Sequence, residues 1–287
     1  MPAPDLPQYH VQGLDYPMAY TATGAGPAVL LVHGSLCDYR YWRWQLPALG
    51  ARYRVLAPSL RGYWPAAYTR ADPRFNVEQH ARDLADFIRL QPGASPVHLL
   101  GHSRGARVAL ELACNNPELL RSLTLADPGF PAAGDPAPPA FHYDAVRRLE
   151  QGDIEGALAE FVDTVNGPDT WRRMVGWFKT MVRDNAGTLL SQVREAGLPF
   201  DMARVQALEC PVLLLGGADS PPRYGRRQDT LQAVLRDVER AVIPQAAHGM
   251  NLANPLAFNR CVLDFLDRHA QAGPLMGTGD TTPRPLK

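Results

Sequence analysis

The sequence predicts an α/β fold with a mostly parallel sheet, helices on both faces and an inserted helical segment. Short apolar runs, typical of strands buried on both faces, alternate with amphipathic helical patterns along most of the 287 residues. This alternation stops between residues 131 and 205, where only helical patterns remain. We therefore expect a core formed by 1–130 and 206–270. We name 131–205 the cap segment, because an insertion at this point should cover the carboxyl edge of the sheet.

Eight strands are expected, most of them continuous apolar runs that end at a Gly, Pro, Asp or His. The first two form a hairpin, since a turn near Gly13 separates them. The other six lack the apolar–polar alternation of a half-exposed strand, so the sheet should be covered on both faces. In chain order the expected strands are 9–12, 18–21, 28–32, 53–58, 96–100, 123–126, 211–215 and 239–243.

Helices are expected where apolar residues recur every three or four positions. The stretch 76–90 places Val77, Ala81, Leu84 and Ile88 on one face. The other expected helices are 106–113, 154–165, 170–183, 188–196, 231–235 and 255–270. The last residues, 271–287, are rich in Gly, Pro and Thr, a composition that predicts a disordered tail.

The composition argues against several classes of partner. Lys and Arg together number 29, as do Asp and Glu, so net charge gives no reason to expect nucleic acid or an anionic membrane. The N-terminus lacks the features of a secretion signal, and no apolar stretch is long enough to span a bilayer. The scattered cysteines have no metal-ligand spacing; they are Cys37, Cys114, Cys210 and Cys261. We expect a cytoplasmic protein without metal or cofactor that acts on a small molecule.

The motif Gly101-His102-Ser103-Arg104-Gly105 lies between an expected strand and an expected helix. Glycines on both sides of a serine at such a junction allow a tight turn and a close approach of the helix to the sheet. The serine hydroxyl is then held at the positive end of the helix. Ser103 is therefore the candidate nucleophile.

A nucleophilic serine needs a base to accept its proton and an acid to orient that base. His248 follows the last expected strand, and Asp219 follows the strand before it. Both lie at the carboxyl edge of the sheet, as does Ser103, in the chain order serine, acid, histidine. Asp127 also follows a buried strand and is the alternative acid.

Two backbone N–H groups are expected to stabilise an oxyanion. One belongs to Arg104, directly after the nucleophile, and the other to Ser35 in the loop after strand 28–32, with Leu36 as second choice. Candidates for the substrate pocket are Leu36, His102, Trp64 and Met250.

These motifs together resemble those of capped α/β-hydrolase-fold enzymes, a group that includes esterases, lactonases, cofactor-free haloperoxidases and epoxide hydrolases. The resemblance covers residues 11–269 and implies an eight-stranded hydrolase sheet with an inserted cap. Its landmarks are His33-Gly34, 57–63, 101–105, 217–219, His248-Gly249, Asn254-Pro255 and Phe258.

Some residues depart from the patterns of that group. Epoxide and haloalkane members have an aspartate nucleophile, so Ser103 disfavours both chemistries. Carbon–carbon hydrolases usually have Gly-Pro-Gly where this chain has 35–37, Ser-Leu-Cys. Members usually have Asp at the position of Ser59 and often Gly at the position of Trp64, so Trp64 is expected to narrow the pocket.

The resemblance and the motifs leave three hypotheses. The first is a serine hydrolase that cleaves an apolar carboxylic ester or a lactone through an acyl-enzyme. The second is a perhydrolase, or cofactor-free haloperoxidase, that passes the acyl group to hydrogen peroxide. The third, of another class, is a ligand-binding receptor built on the hydrolase fold.

Overall fold

The computed structural model describes residues 6–70, 72–131 and 140–270 and contains one eight-stranded sheet. The predicted tail at 271–287 lies outside the described residues. The strands are β1 (Tyr9–His10), β2 (Ala19–Thr23), β3 (Ala28–Val32), β4 (Arg54–Pro58), β5 (Val97–His102), β6 (Leu120–Ala126), β7 (Val212–Gly217) and β8 (Val238–Ile243). Their spatial order is β1-β2-β4-β3-β5-β6-β7-β8. β1 and β2 form the antiparallel edge, and β3 to β8 are mutually parallel, so the predicted fold class is confirmed.

Helices cover both faces of the sheet. They are α1 (Gln45–Gly50), α2 (Val77–Leu90), α3 (Arg104–Asn115), α4 (Ala140–Glu150), α5 (Ile154–Asn166), α6 (Thr170–Arg173), α7 (Gly176–Asp184), α8 (Leu189–Gln192), α9 (Met202–Gln206), α10 (Pro222–Gln232), α11 (Met250–Ala253) and α12 (Pro255–His269). Along β3, Leu30 and Val32 pack with α2 and α3, whereas Val29 and Leu31 pack with α1 and α12. Each face of the strand is thus buried, which explains its continuous apolar run.

Three helices differ from their predicted bounds. The helix predicted at 188–196 is limited to the four residues of α8, and Val193–Glu195 form a 3-10 turn after it. The stretch 170–183 is divided into α6 and α7, because Met174 and Val175 have extended backbone and the second helix starts at Gly176, a poor helix former. The helix predicted at 231–235 corresponds to the end of α10, which begins at Pro222 and ends at Gln232, so 233–235 lie beyond it. Its first turns are highly polar, so periodicity alone did not reveal them.

Helices α4 to α9 lie between β6 and β7 in the chain, where the cap segment was predicted. Their residues Phe161 and Val165 line cavities that also contain Ser103. The division of the chain into a core and a cap segment stays a prediction. Among the helices that the structure describes, none combines the length and the apolar composition needed to cross a bilayer.

Gly105 allows the close contact between α3 and β3. A Cβ atom at this position would lie 2.3 Å from the carbonyl oxygen of His33 and 2.4 Å from that of Val32. Gly105→Ala is therefore expected to lower the free energy of unfolding by about 3 kcal/mol or more, since strand backbone cannot easily move aside. Urea unfolding monitored by circular dichroism measures the loss.

The matched control for this substitution is Gly176→Ala at the start of α7. A Cβ atom there would meet no heavy atom within 4 Å. Alanine also favours helix, so this variant should be as stable as the wild type or slightly more stable. Equal urea midpoints for Gly105→Ala and Gly176→Ala would contradict the steric argument.

Buried histidines make the fold sensitive to acid. The buried ones are His33, His80, His98, His102 and His248. Desolvation lowers the pKa of each from 6.5, to about 4 for His98 and about 3 for His33, His102 and His248, while the pKa of His80 lies well below 6.5. Below pH 6.5 the unfolded chain therefore takes up protons that the folded protein excludes. Each histidine then lowers stability by about 1.4 kcal/mol per pH unit.

Two buried carboxyls act in the opposite direction. Burial raises the pKa of Asp38 and of Asp127, so the folded protein keeps protons there that the unfolded chain has lost. Because the histidines outnumber them, we expect the free energy of unfolding to fall by at least about 1.4 kcal/mol per unit from about pH 6 to about pH 5. Urea titrations at several pH values measure this slope, and His98→Gln should make it shallower. Stability that is constant or rises on acidification would contradict the expectation.

Candidate active site

Ser103 lies between β5 and α3 in a strained backbone conformation. Its φ of 57° and ψ of −123° are rare for a residue with a side chain. The Ser103 N–H donates to the Ala126 carbonyl at 2.9 Å, and the Ser103 carbonyl accepts from the Gly129 N–H at 2.9 Å. Gly101 completes the tight turn, because a Cβ atom there would lie 2.4 Å from the Gly105 carbonyl oxygen. These contacts hold the serine at the carboxyl edge of the sheet.

His248 is hydrogen-bonded to Asp127 in the protein interior. Its Nδ1 lies 3.2 Å from Asp127 Oδ2, and the two residues are 4% and 0% exposed. Asp127 also accepts hydrogen bonds from Ser220 Oγ at 2.6 Å and from Gln228 Nε2 at 3.2 Å. With Nδ1–H directed to a carboxylate, Nε2 of His248 is the nitrogen that is left to act as a base.

The geometry corrects the first choice of acid. Asp219 is exposed, and its side chain makes no hydrogen bond to His248; its backbone N–H donates to the Ala246 carbonyl at 2.9 Å. β7 extends to Gly217, and the turn beyond it directs Ser220, not Asp219, towards the interior. Asp127 follows β6, which is next to the strand that ends at the serine. The alternative acid is thus the one that the structure pairs with the histidine.

Burial sets the protonation of this pair. Desolvation, followed by the nearby cations Arg223 and Arg227, lowers the pKa of His248 to about 3. Desolvation raises the pKa of Asp127 to about 7, against the hydrogen bonds donated by Ser220 and Gln228. The imidazole is therefore uncharged at neutral pH, which is the form that can accept a proton.

Two neighbouring rings fix the position of His248. The Tyr224 ring stacks on it, with ring centres 4.2 Å apart and an angle of 13° between the planes. On another side, the His102 ring centre lies at 4.6 Å, and His102 Nε2 donates to the His248 carbonyl at 2.7 Å. Tyr224, Ser220 and Gln228 were not identified from the sequence. Tyr224 and Gln228 lie on α10, in the polar stretch whose helical pattern was missed.

The loop after β3 passes close to Ser103. A Cβ atom on Gly34 would lie 3.0 Å from Ser103 Cβ, and Leu36 has a φ of 60°. Ser35 therefore lies beside Ser103, and both residues line the two cavities described next. Arg104 is the first residue of α3, so its N–H has no acceptor within the helix.

Two cavities meet at Ser103. The apolar cavity also contains His248 and is lined by Leu36, Cys37, Tyr41, His102, Phe161, Val162, Val165, Met174, Phe178 and Val182, among others. The basic cavity is lined by Arg104, Arg107, Arg223, Arg227, His142, Glu195, Phe130, Phe141 and Tyr224, among others. Ser103 Oγ and His248 make no hydrogen bond with each other, although both face the apolar cavity. Hydrogen bonds between a serine and the base that activates it are often long in enzymes without bound substrate.

Two of the four predicted pocket residues line these cavities and two do not. Leu36 and His102 line the apolar cavity. Trp64 lies apart from both, because its ring packs against the Arg40 guanidinium at 3.7 Å and the Tyr39 ring at 5.6 Å. Met250 is fully buried in the core and lines neither cavity.

No cluster of His, Cys, Asp or Glu suited to a metal ion occurs in the part of the chain that the structure describes. The buried Cys37 lines the apolar cavity, and desolvation raises the pKa of its thiol well above 9.0. A thiol that keeps its proton is a weak nucleophile. Ser103 is therefore the better candidate of the two.

Comparisons with known proteins agree with this architecture. The chain is 25% identical over 266 residues to a 2-hydroxy-6-oxo-6-(2'-aminophenyl)hexa-2,4-dienoic acid hydrolase from Metapseudomonas resinovorans, and the alignment covers 88% of each chain. The fold is similar to that of an esterase from Exiguobacterium antarcticum, with a TM-score of 0.78, 18% identity and coverage of 90% of this chain and 98% of that one. It is also similar to a thermophilic esterase from Thermogutta terrifontis, with a TM-score of 0.72, 22% identity and coverage of 92% and 99%.

A family profile matches most of the chain, not only the individual motifs. Residues 29–260 match the alpha/beta hydrolase family, a stretch that includes β4 to β8, all but the first residue of β3, and all the candidate site residues. The strand order, the strand-to-helix turn at Ser103 and this family match all indicate the same fold. The chain belongs to the alpha/beta hydrolase family of enzymes.

Proposed function

We propose that this enzyme is a serine hydrolase that cleaves a carboxylic ester through an acyl-enzyme. The proposal depends mainly on one observation: a buried, hydrogen-bonded His248–Asp127 pair faces the same cavity as a serine on a strained turn. A base oriented by a carboxylate is what an unreactive serine hydroxyl requires at neutral pH.

In the first half of the reaction, Ser103 Oγ attacks the ester carbonyl carbon while His248 Nε2 takes the hydroxyl proton. The resulting oxyanion accepts hydrogen bonds from the N–H groups of Ser35 and Arg104. Asp127 stabilises the imidazolium. The tetrahedral intermediate then breaks its bond to the alkoxide, which leaves as an alcohol with the proton from His248.

In the second half, water attacks the acyl group on Ser103 and His248 again accepts the proton. Collapse of the second tetrahedral intermediate breaks the bond to Ser103 Oγ, and His248 returns the proton to that oxygen. The products are one carboxylic acid and one alcohol for each ester and water consumed.

The apolar cavity supports an apolar group on the substrate. Its lining includes Leu36, Tyr41 and Phe178 beside the nucleophile. Phe161 and Val165, on α5 of the cap segment, line it from above. We propose that the cap segment closes the site and keeps bulk water from the acyl-enzyme.

A fluorophosphonate probe tests the proposal directly, because it forms a covalent bond with an activated serine and releases fluoride. We expect stoichiometric labelling at Ser103, located by peptide mass mapping, and hydrolysis of short 4-nitrophenyl esters. Heat-denatured protein serves as the control and should stay unlabelled. Absence of both labelling and hydrolysis would overturn the proposal.

Two further measurements, compared with the rate of ester hydrolysis, separate the other two hypotheses. Faster peroxide-dependent bromination in acetate buffer than ester hydrolysis would indicate a perhydrolase. Tight ligand binding with negligible turnover would indicate a receptor.

A further inference from the structure

Among the described residues that line the basic cavity, arginines outnumber carboxylates. Four arginines line it, and Glu195 is the one carboxylate among the described residues that do so. Arg104 already binds that carboxylate, since its Nε and Nη2 donate to the two Glu195 oxygens at 2.8 and 2.9 Å. The described lining offers no second carboxylate to Arg107 or to Arg223.

Arg107 is a buried cation, and no carboxylate of the described residues pairs with it directly. The residue is 7% exposed, its Nη1 reaches only the Glu195 carbonyl oxygen at 3.5 Å, and its Nε is buried with no hydrogen-bond partner. None of the ion pairs within the described ranges includes Arg107. Burial lowers the pKa of this guanidinium, and the neighbouring Arg104 also lowers it, whereas the carboxylates of Glu195, Glu78 and Glu111 raise it without forming an ion pair with Arg107. Keeping such a charge away from water is unfavourable unless an anion joins it.

Arg223 lines the same cavity from α10. Its Nη2 donates to the Thr164 carbonyl, and its guanidinium carbon lies 5.8 Å from the Phe141 ring centre and 5.2 Å from that of Tyr224. Within the described residues it forms no ion pair with a carboxylate. A second guanidinium is thus present without an acidic partner.

The cavity lies next to the reacting serine. Arg107 follows Ser103 by one turn of α3, and its N–H is 3.4 Å from the Ser103 carbonyl oxygen. Ser103 and the Arg107 side chain also line one cavity, so an anion held by Arg107 would share that cavity with a carbonyl group placed at Ser103. The planar fork of a guanidinium fits a carboxylate by two parallel hydrogen bonds.

We infer that the basic cavity binds a substrate carboxylate, with Arg107 and Arg223 as its counter-ions, and that the apolar cavity receives the uncharged end of the same substrate. The inference rests on the proposed ester hydrolysis and narrows it to esters that carry a carboxylate a short distance from the scissile bond.

Two ester pairs of equal shape and different charge test the inference. Monoethyl glutarate and ethyl 5-oxohexanoate place a carboxylate or a methyl ketone on the acyl side. The butyryl ester of 4-hydroxybutyrate and that of 5-hydroxypentan-2-one do so on the alcohol side. Measured by proton release, wild-type kcat/KM should favour the carboxylate in at least one pair by about tenfold to a hundredfold, as expected for a charged hydrogen bond.

Arg107→Met and Arg223→Met should each lower that preference about tenfold or more. Methionine fills similar space, so the ratio between the paired esters reports on charge rather than on overall activity. Arg89→Met is the control, because Arg89 is exposed on α2 and pairs with Asp86 and Glu118. Its preference should equal that of the wild type. No preference in the wild type, or an unchanged preference in both cavity variants, would overturn the inference.

A binding measurement separates this inference from the proposed chemistry. Glutarate should bind Ser103→Ala in calorimetry and raise its melting temperature, and adding Arg107→Met should weaken both effects. Glutarate binding without any ester turnover or fluorophosphonate labelling would remove the proposed function and leave the anion site. Turnover of neutral and anionic esters at equal rates, without glutarate binding, would support the proposed ester hydrolysis and overturn the anion site.

Discussion

Replacing Ser103 by alanine is expected to lower kcat for ester hydrolysis by about five to six orders of magnitude. Removing a nucleophile that acts together with its base typically has an effect of this size. The base and the oxyanion donors stay in place in the variant, but there is no Oγ to form the acyl-enzyme. Initial rates with a 4-nitrophenyl ester and labelling by the fluorophosphonate probe both measure the loss.

Two controls show that any loss of activity in Ser103→Ala comes from the missing hydroxyl and not from misfolding or from the loss of any buried serine. Ser103→Ala should give the same circular dichroism spectrum as the wild type. Ser59→Ala removes another buried serine hydroxyl, which accepts from the Tyr39 N–H at 3.3 Å and lines neither cavity. That variant should still be labelled and active. Substantial turnover by Ser103→Ala would show that the acyl group is not transferred to this serine.

Asp127→Asn is expected to lower kcat by about four orders of magnitude, whereas Asp219→Asn should change it less than about threefold. An asparagine amide opposite Nδ1 favours the wrong tautomer of His248 and does not stabilise the imidazolium. Asp219 is exposed and makes no side-chain contact with the histidine, so its amide should be tolerated. The same ester assay, run on both variants, measures the difference.

Asp127→Asn and Asp219→Asn form a matched pair, because each replaces one carboxylate oxygen by an amide NH₂ group on a residue that follows a strand. Asp127 is fully buried, so urea unfolding must show that Asp127→Asn is folded under assay conditions. The opposite ranking, with Asp219→Asn the inactive variant, would show that the loop after β7 rearranges in the working enzyme.

The sequence was most informative where one local pattern has one structural meaning. Continuous apolar runs located the central strands, β3 to β7, since a strand covered on both faces leaves no polar side. The turn at Ser103 was equally clear, because so tight a strand-to-helix turn requires glycine at 101 and 105. Alanine at either position would collide with backbone atoms.

The acid could not be chosen in this way. Asp127 and Asp219 both follow buried strands in short turns, so their local patterns are nearly the same. Which aspartate reaches His248 depends on the order of the strands in the sheet and on the backbone at Asp127. Asp127 has a φ of 41°, and its side chain points into the protein interior. The basic cavity was hidden for a similar reason: Arg107 and Arg223 are far apart in the chain, and neither belongs to a motif.

Arg104 has two attachments that link separate parts of the protein. Its backbone is the proposed oxyanion donor, while its side chain is tied to Glu195 in the cap segment by a pair that is nearly inaccessible to solvent. Any outward displacement of residue 195 must either break this pair or pull on the first turn of α3. If the cap segment moves as proposed, we therefore expect its movement at residue 195 to disturb the proposed oxyanion donor through the Arg104 side chain.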